Sequence, residues 1–487
     1  MTHPSRIAIV WFRRDLRLAD NPALTAALQS CDCILPVYIH APEEEAPWKP
    51  GSASNWWLHN SLSALCDSIS QTGSRLIITH GPTKEKLIEI AATTGATHLY
   101  WNRLYDPVAI ERDSQIKREL HDLGIDCQSF NSNLLIEPVN VLNRQGSPYK
   151  VFTAFWRTAR GMLDGIGSPL PAATQIPTPP KTVPPATLES LNLLPQNNWH
   201  EKLAAIWKPG EAGGHEQWAH FLYNNLPYYD SQRDFPAEES TTSLSPHLHF
   251  GEITPRQLFW SLQHQADQAP GIGQHLDRLS AQLGWREFAH YTLFHFPHSA
   301  TESLDSRFAS NIWHNGRDNR ELLERWQRGE TGIPIVDAGM RQLWQTGWMH
   351  NRVRMIVASL LTKNLGIHWL EGARWFWDTL VDADLANNTL GWQWTAGCGV
   401  DAAPYFRVFN PARQAERFDP AGRYIRTWLP ELATADNRIL INGRHAADNG
   451  IDYPPPMLDL QKTRKQALER WELIKRNPKN PASNKSV

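Results

Sequence analysis

RIAIVWF, residues 6–12, is a short apolar run rich in branched and aromatic side chains, and it reads as a buried strand. RRDLRLADNPAL follows at 13–24, with Asp20 or Asn21 placed to cap a helix and Pro22 in its first turn. The alternation repeats outward from there. Further strands are predicted at 33–40 (CILPVYIH), 75–81 (RLIITHG), 97–102 (THLYWN) and 126–131 (DCQSFN), with amphipathic helices between them, such as 52–72. Strands alternating with helices imply a doubly wound parallel sheet, an α/β domain over residues 1–131. Ligands of such sheets sit beyond the carboxyl ends of the strands. No GxGxxG follows the first strand, which argues against an ordinary dinucleotide site there.

Residues 132–200 differ in character. PLPAATQIPTPPKTVPPATL (169–188) is Pro-rich and free of acidic groups, so it can form neither a helix nor a central strand. It reads as a long extended linker wrapping between domains. From 201 to 475 apolar residues recur at three- and four-residue spacing, as in GQHLDRLSAQLGWREFAHYTLFH (273–295), and an all-α domain is expected. A flexible basic tail is expected over 476–487.

The chain has 487 residues, a formal net charge of −2 and 22 Trp. That charge excludes a uniformly basic nucleic-acid coat and leaves room for a local basic patch. Five unevenly spread Cys argue for a reducing compartment and against a disulfide framework. The Cys31–Cys33 pair has no matching second pair, so a buried strand is the better reading and no metal site is expected. No apolar run approaches ~18 residues, and no leader pattern opens the chain. A cytoplasmic monomer is expected.

Four polar stretches could carry chemistry. DADLANNTLGWQWTAGCGVDAAPYFR (382–407) sets Asp382, Asp384 and Asn388 beside Trp392 and Trp394, which suits a planar hydrogen-bonding ligand; a Trp-rich core is the alternative. Thr241, Thr242, Ser243 and Ser245 precede a helix and offer hydroxyls and amides, for a phosphate or simply as a cap. Gln282, Trp285 and Arg286 share a helical face, fit either to read and stack an extruded base or to frame a buried indole. Asn351 and Met355 share another face, with Arg352 and Arg354 turned elsewhere.

WFRRDLRLADNPAL, QRDFPAEESTTSLSPHLHFGEITPRQ, WREF, TGWMHNRVRM and DADLANNTLGWQW, in this order, resemble the photolyase/cryptochrome family of flavoproteins, over residues 6–432. MHNRVRMIVAS and the 401–432 segment look like class I cyclobutane pyrimidine dimer photolyases, and GSASNWWLHNSL like the bacterial class III branch. The resemblance implies one FAD per chain in the helical domain. Tyr229, Thr241, Thr242, Ser243, Leu244 and Ser245 would lie on its phosphate side. Asp382, Ala383 and Asp384, with Arg354, would lie on its ribose and flavin side, and Asn388 would face N5. Trp392, Trp369 and Trp313 match the family's photoreduction chain. Trp285 and Trp394 match its clamp on a flipped-out dimer, with Gln282, Asn351, Arg352 and Met355 as further substrate contacts. Arg233, Arg286 and Arg407 are implied contacts to DNA or flavin.

The implied reaction is light-driven electron donation from reduced FAD to the lesion in ultraviolet-damaged DNA. Two departures stand out. Gln282 replaces the usual Glu, which keeps (6-4) repair open as an alternative. Val108 and Ala109 replace the class I folate-binding pair, so an antenna folate, methenyltetrahydrofolate rather than deazaflavin, would stack elsewhere, on Trp48, Trp56 or Trp57. The short segment after WLPEL favours repair over a signalling cryptochrome.

Overall fold

The computed structural model describes residues 5–195, 197–268, 273–308, 312–313, 317–444 and 446–477; residues 478–487 of the expected tail lie outside them. Five strands form one parallel sheet: β1 (Ile7–Phe12), β2 (Cys33–His40), β3 (Ile77–His80), β4 (His98–Asn102) and β5 (Asp126–Phe130), in the order β3-β2-β1-β4-β5. Helices α1 (Pro22–Ser30), α2 (Ser52–Gln71), α3 (Thr83–Thr94) and α4 (Pro107–Asp122) connect them. This is the doubly wound α/β arrangement that the alternating pattern predicts. Asn21 is the cap of α1, its side chain accepting the Leu24 amide at 3.1 Å. Ile9, Trp11, Leu35, Val37, Leu99 and Trp101 build the core.

The chain falls into two compact units, 1–146 with 153–224 and 242–294, and 147–152 with 225–241 and 295–487. The first unit therefore takes in helical sequence beyond residue 201. Its physical cause is the loop after β1. The Leu16 amide donates to the Phe250 carbonyl at 3.1 Å, and the buried Arg17 guanidinium donates to the Gly251 carbonyl at 2.6 Å. Glu211 accepts the Leu18 and Ala19 amides at 2.8 and 2.9 Å. Asp20 accepts from Thr254 at 2.6 Å and pairs with Arg256. Gly251 has φ +65°, and a Cβ there would stand 2.1 Å from the Arg14 carbonyl oxygen, so the loop admits only glycine.

The 132–200 stretch is more ordered than a bare linker. Its Pro-rich part is extended and strapped to the sheet side: Ile34 donates to the Pro177 carbonyl at 2.7 Å and Ala186 to the Ile78 carbonyl at 2.7 Å. It also holds helix α5 (Phe152–Arg160), whose Phe155 packs on Tyr291 with centroids 4.7 Å apart. A phenylalanine and a tryptophan on one face of a short segment were signal enough for this helix, but the neighbouring prolines mask it.

Trp48, Trp56 and Trp57 are 6 %, 2 % and 0 % exposed, so the indoles offered for antenna stacking are core residues instead. Trp57 stacks on Phe250 and donates its Nε1–H to Glu252 at 3.0 Å. The fully buried Glu252 also accepts the Gly210 amide at 2.7 Å and pairs with His247. Among the described residues no helix is long and apolar enough to cross a membrane. Glu252→Ala strands the buried Trp57 and Gly210 donors together with the His247 ring, and should lower stability by roughly 3 kcal/mol. A urea titration showing an unchanged midpoint would contradict this role for Glu252.

Candidate functional site

In the second unit the helices α6 (Pro334–Thr346), α7 (Asn351–Ser359), α8 (Trp369–Thr379) and α9 (Leu385–Ala396) pack together, and α7, α8 and α9 carry eight of the residues singled out above. Asp384 caps α9: its Oδ1 accepts the Asn387 amide at 2.9 Å and the Asn387 side-chain amide at 2.7 Å. Residues three and four apart on α9 share a face. One face bears Ala386, Thr389, Trp392, Gln393 and Ala396, all buried. Another bears Asn387, Asn388, Gly391 and Trp394, exposed or half-buried. A Cβ on Gly391 would meet nothing within 4 Å.

The buried face is tightly held. Gln393 donates to the Ser299 and Glu302 carbonyls at 2.8 and 3.0 Å and accepts the Leu304 amide at 2.9 Å. Trp392 packs edge-on against Phe376 and Trp326, at 5.0 and 6.1 Å between centroids. Gly372 makes room for it, since a Cβ there would lie 2.1 Å from the indole. Asn388 ties the two helices, donating to the Ala373 carbonyl at 3.0 Å.

The expected pairing of Arg354 with the carboxylates is present. Its NH2 reaches both oxygens of Asp382, at 2.8 and 3.1 Å, while its Nε donates to the Met349 carbonyl at 2.7 Å. The Asp382 side chain is 4 % exposed and that of Arg354 24 %. A guanidinium so placed neutralises a carboxylate that burial would otherwise make costly. Arg352 turns to Asp234 at 2.8 Å and lies over the Phe418 ring. Asn351 is exposed and Met355 half-buried, on the shared face expected of them.

Tyr229 is buried, and burial raises its hydroxyl pKa above the ordinary range. The Arg233 guanidinium donates to that hydroxyl at 3.2 Å. The 241–245 loop leads into a helix of one turn, Ser245–His249, shorter than the expected phosphate-binding helix. Ser243 has φ +52°, a left-handed conformation that a serine adopts only under local constraint. In the first unit, Gln282, Trp285 and Arg286 lie on one face of the long Gly273–His295 helix and are each half-buried. Trp285 meets Phe288 edge-on at 5.9 Å, and Arg286 donates to the Asn133 carbonyl at 2.7 Å. Glu287 between them is fully buried; burial pushes its carboxyl up to about 7 while it accepts the Leu135 and Ile136 amides.

The three chain tryptophans are buried: Trp392 at 3 %, Trp369 at 0 % and Trp313 at 6 %. Trp369 starts α8 and donates its Nε1–H to Ser303 Oγ at 3.1 Å. Arg407 is exposed on a loop whose backbone is held by the buried Lys363, which donates to the Arg407 carbonyl at 3.0 Å. Burial pushes that ammonium down to about 7.

Two histidines were missed from the sequence. His350 and His368 are the N-caps of α7 and α8, accepting the Arg352 and Leu370 amides at Nδ1, each at 3.1 Å. Their signal was local, a histidine directly before an apolar-periodic run, but histidine is rarely weighed as a cap. His350 Nε2 donates to the Arg233 carbonyl at 3.0 Å, which fixes a neutral tautomer. Burial holds both rings down to about 4.

A family model described as "FAD binding domain of DNA photolyase" matches residues 279–473, and one described as "DNA photolyase" matches residues 8–180. A deoxyribodipyrimidine photo-lyase of Agrobacterium fabrum is 41 % identical over 484 residues, 96 % of this chain and 98 % of that protein. Cryptochrome-2 of Arabidopsis thaliana is 37 % identical over 94 % of this chain and 77 % of its own length. The crystal structure of a bacterial class III photolyase from Agrobacterium tumefaciens superposes with a TM-score of 0.91 at 39 % identity, covering 98 % of this chain and 99 % of that one.

The caps make stability depend on acid. Imidazole titrates near 6.5 when unfolded and near 4 in folded His350, so the unfolded chain takes the proton first as pH falls. Stability is full above about pH 6.5 and declines towards pH 4, by roughly 2–3 kcal/mol for His350. His350→Asn keeps a capping oxygen and should flatten the decline, measured as urea midpoints at pH 7 and pH 5. Equal declines in both proteins would refute it.

Proposed function

The chain belongs to the photolyase/cryptochrome family, and from that premise we propose that it is a light-dependent lyase splitting cyclobutane pyrimidine dimers in ultraviolet-damaged DNA, with one FAD per chain. The observation that carries the reading is the open face of α9. A carboxylate neutralised by Arg354, the Asn388 amide and the bare backbone at Gly391 suit a flat ligand with a polar edge. Asp382, Ala383, Asp384 and Arg354 would hold the flavin and ribose side. Tyr229, Thr241, Thr242, Ser243, Leu244 and Ser245 would hold the phosphates, and Arg286 would assist. Bound and reduced, FAD supplies a photoexcited electron to the dimer and regains it once the ring has opened.

The chain's own residues bind, orient and protect. The Asn388 Nδ2 is committed to Ala373, which leaves Oδ1 for an N–H such as flavin N5–H. A carboxylate in its place would compete for that proton. Trp392, Trp369 and Trp313 would keep the cofactor reduced. Trp285 and Trp394 are the proposed clamp on the extruded dimer, since aromatic faces stack on a flipped base and exclude water. Gln282, Asn351, Arg352 and Met355 would line the lesion, and Arg233, Arg286 and Arg407 would meet DNA phosphates. Gln282 can donate a hydrogen bond to a pyrimidine carbonyl but holds no transferable proton.

The division of labour we assign is an antenna domain over 1–131, a linker over 132–200, a catalytic domain over 201–475 and a tail over 476–487, in a cytoplasmic monomer that joins the nucleoid when bound to DNA. Methenyltetrahydrofolate is favoured over deazaflavin as antenna. Its support is the chain's likeness to the bacterial class III branch.

Illuminating damaged DNA with the reduced protein should remove cyclobutane dimers and leave (6-4) products. Repair of (6-4) products alone would defeat the assignment, and repair of neither would favour a signalling receptor. Gln282→Glu should raise the repair quantum yield, and Trp394→Ala should weaken binding to damaged DNA by ~1–3 kcal/mol, the worth of one base–aromatic stack.

A further inference from the structure

The outer two tryptophans of the chain meet through an imidazole. The His368 ring centroid lies 5.7 Å from that of Trp369, tilted by 30°, and 5.0 Å from that of Trp313, at 64°. Among the described residues, the ring contacts that run between the two indoles pass through this histidine. Its orientation is set by the backbone. Nδ1 accepts the Leu370 amide, so the neutral ring carries its proton on Nε2, and neither nitrogen keeps a free lone pair. The positive end of the α8 dipole disfavours a second proton. Burial, with the Arg374 charge acting in the same direction, holds the ring down to about 4.

We propose that His368 is a positioning and relay residue of the electron path, bridging Trp369 and Trp313 as a ring held neutral and unable to take a proton from either indole. This rests on the reading of Trp392, Trp369 and Trp313 given above. The electron count is simple. Trp392 gives one electron to the photoexcited cofactor and is refilled from Trp369, and Trp369 is refilled from Trp313. Trp313, one electron short, is refilled by an external thiol, which becomes a thiyl radical and gives its proton to solvent. His368 is neither oxidised nor reduced; its π-system couples the two indoles. A cationic ring in this position would repel an indole radical cation. A ring with a free lone pair would accept the indole proton and strand the hole. Trp369 is protected in the same sense at its other contact, because the Ser303 hydroxyl that accepts its Nε1–H is a very weak base.

The cap and the ring can be separated by substitution. His368→Asn supplies a strong capping oxygen and removes the ring; His368→Phe keeps a ring and removes the cap. The wild-type chain, both variants and Trp313→Phe are loaded with FAD and excited by a laser flash, and the tryptophan radical is followed by transient absorption. Melting temperatures of the same four chains, free of flavin, are read by circular dichroism. His368→Asn should melt close to the wild type yet form the long-lived radical several-fold less, whereas His368→Phe should melt lower and retain most of it. A wild-type radical yield and rise time in His368→Asn overturns the relay. An equal loss in both variants also overturns it and reduces His368 to a cap. If Trp313→Phe already matches the wild type, the tryptophan path itself is wrong; if it loses the radical while His368→Asn does not, only the relay is.

Discussion

Helix α9 is fastened along one side and open along the other, and the candidate site depends on that asymmetry. Gln393 locks its buried side to three backbone groups of the 299–304 segment, and Asp384 locks its start. With 3.6 residues per turn, positions 392 and 394 point some 200° apart. Trp392 is thereby committed to the interior against Phe376, Trp326 and the cleft left by Gly372, while Trp394 stays half-exposed. The electron-supplying and base-stacking roles proposed for these two indoles are compatible with a two-residue separation because one is held in the core. The Asn388 hydrogen bond to α8 adds the rigidity that a site on a helix needs for sub-ångström positioning.

A second constraint acts in the first unit. The 13–20 loop leaves the carboxyl end of β1, where a doubly wound sheet ordinarily receives a ligand, and turns instead onto Glu211, Phe250, Gly251 and Arg256. Arg17 is fully buried and remains tolerable because carbonyl and hydroxyl oxygens surround its guanidinium. The sheet thus spends its switch point on holding helical sequence. Helices after residue 201 consequently belong to the same compact unit as the strands.

In the second unit α7 and α8 are capped without a charge, whereas α9 takes the Asp384 carboxylate. Asp382 is offset by Arg354, and two helix N-termini are capped by imidazoles kept uncharged rather than by carboxylates. A photochemical site that moves single electrons is sensitive to every unpaired charge near its path, because fields are weakly screened in a dry interior. Neutral caps satisfy the helix donors without adding a field that would trap a hole.

Much of this protein was legible from its residues alone. Five apolar runs separated by amphipathic helices dictate the parallel sheet, because strand and helix periodicities of 2 and 3.6 are local properties. Asn21 before Pro22 announces a cap for the same reason. The Asp382-to-Trp394 stretch announced a polar edge beside aromatics, and the long collinear motifs announced the family. Tertiary structure decided the rest. Spacing could not show that Arg354 selects Asp382, that Trp57 is locked into the core by Glu252, or that His368 stands between Trp369 and Trp313. Those pairings join residues 28, 195 and 55 positions apart. Contacts across such separations follow from how whole helices pack, and no local periodicity encodes them.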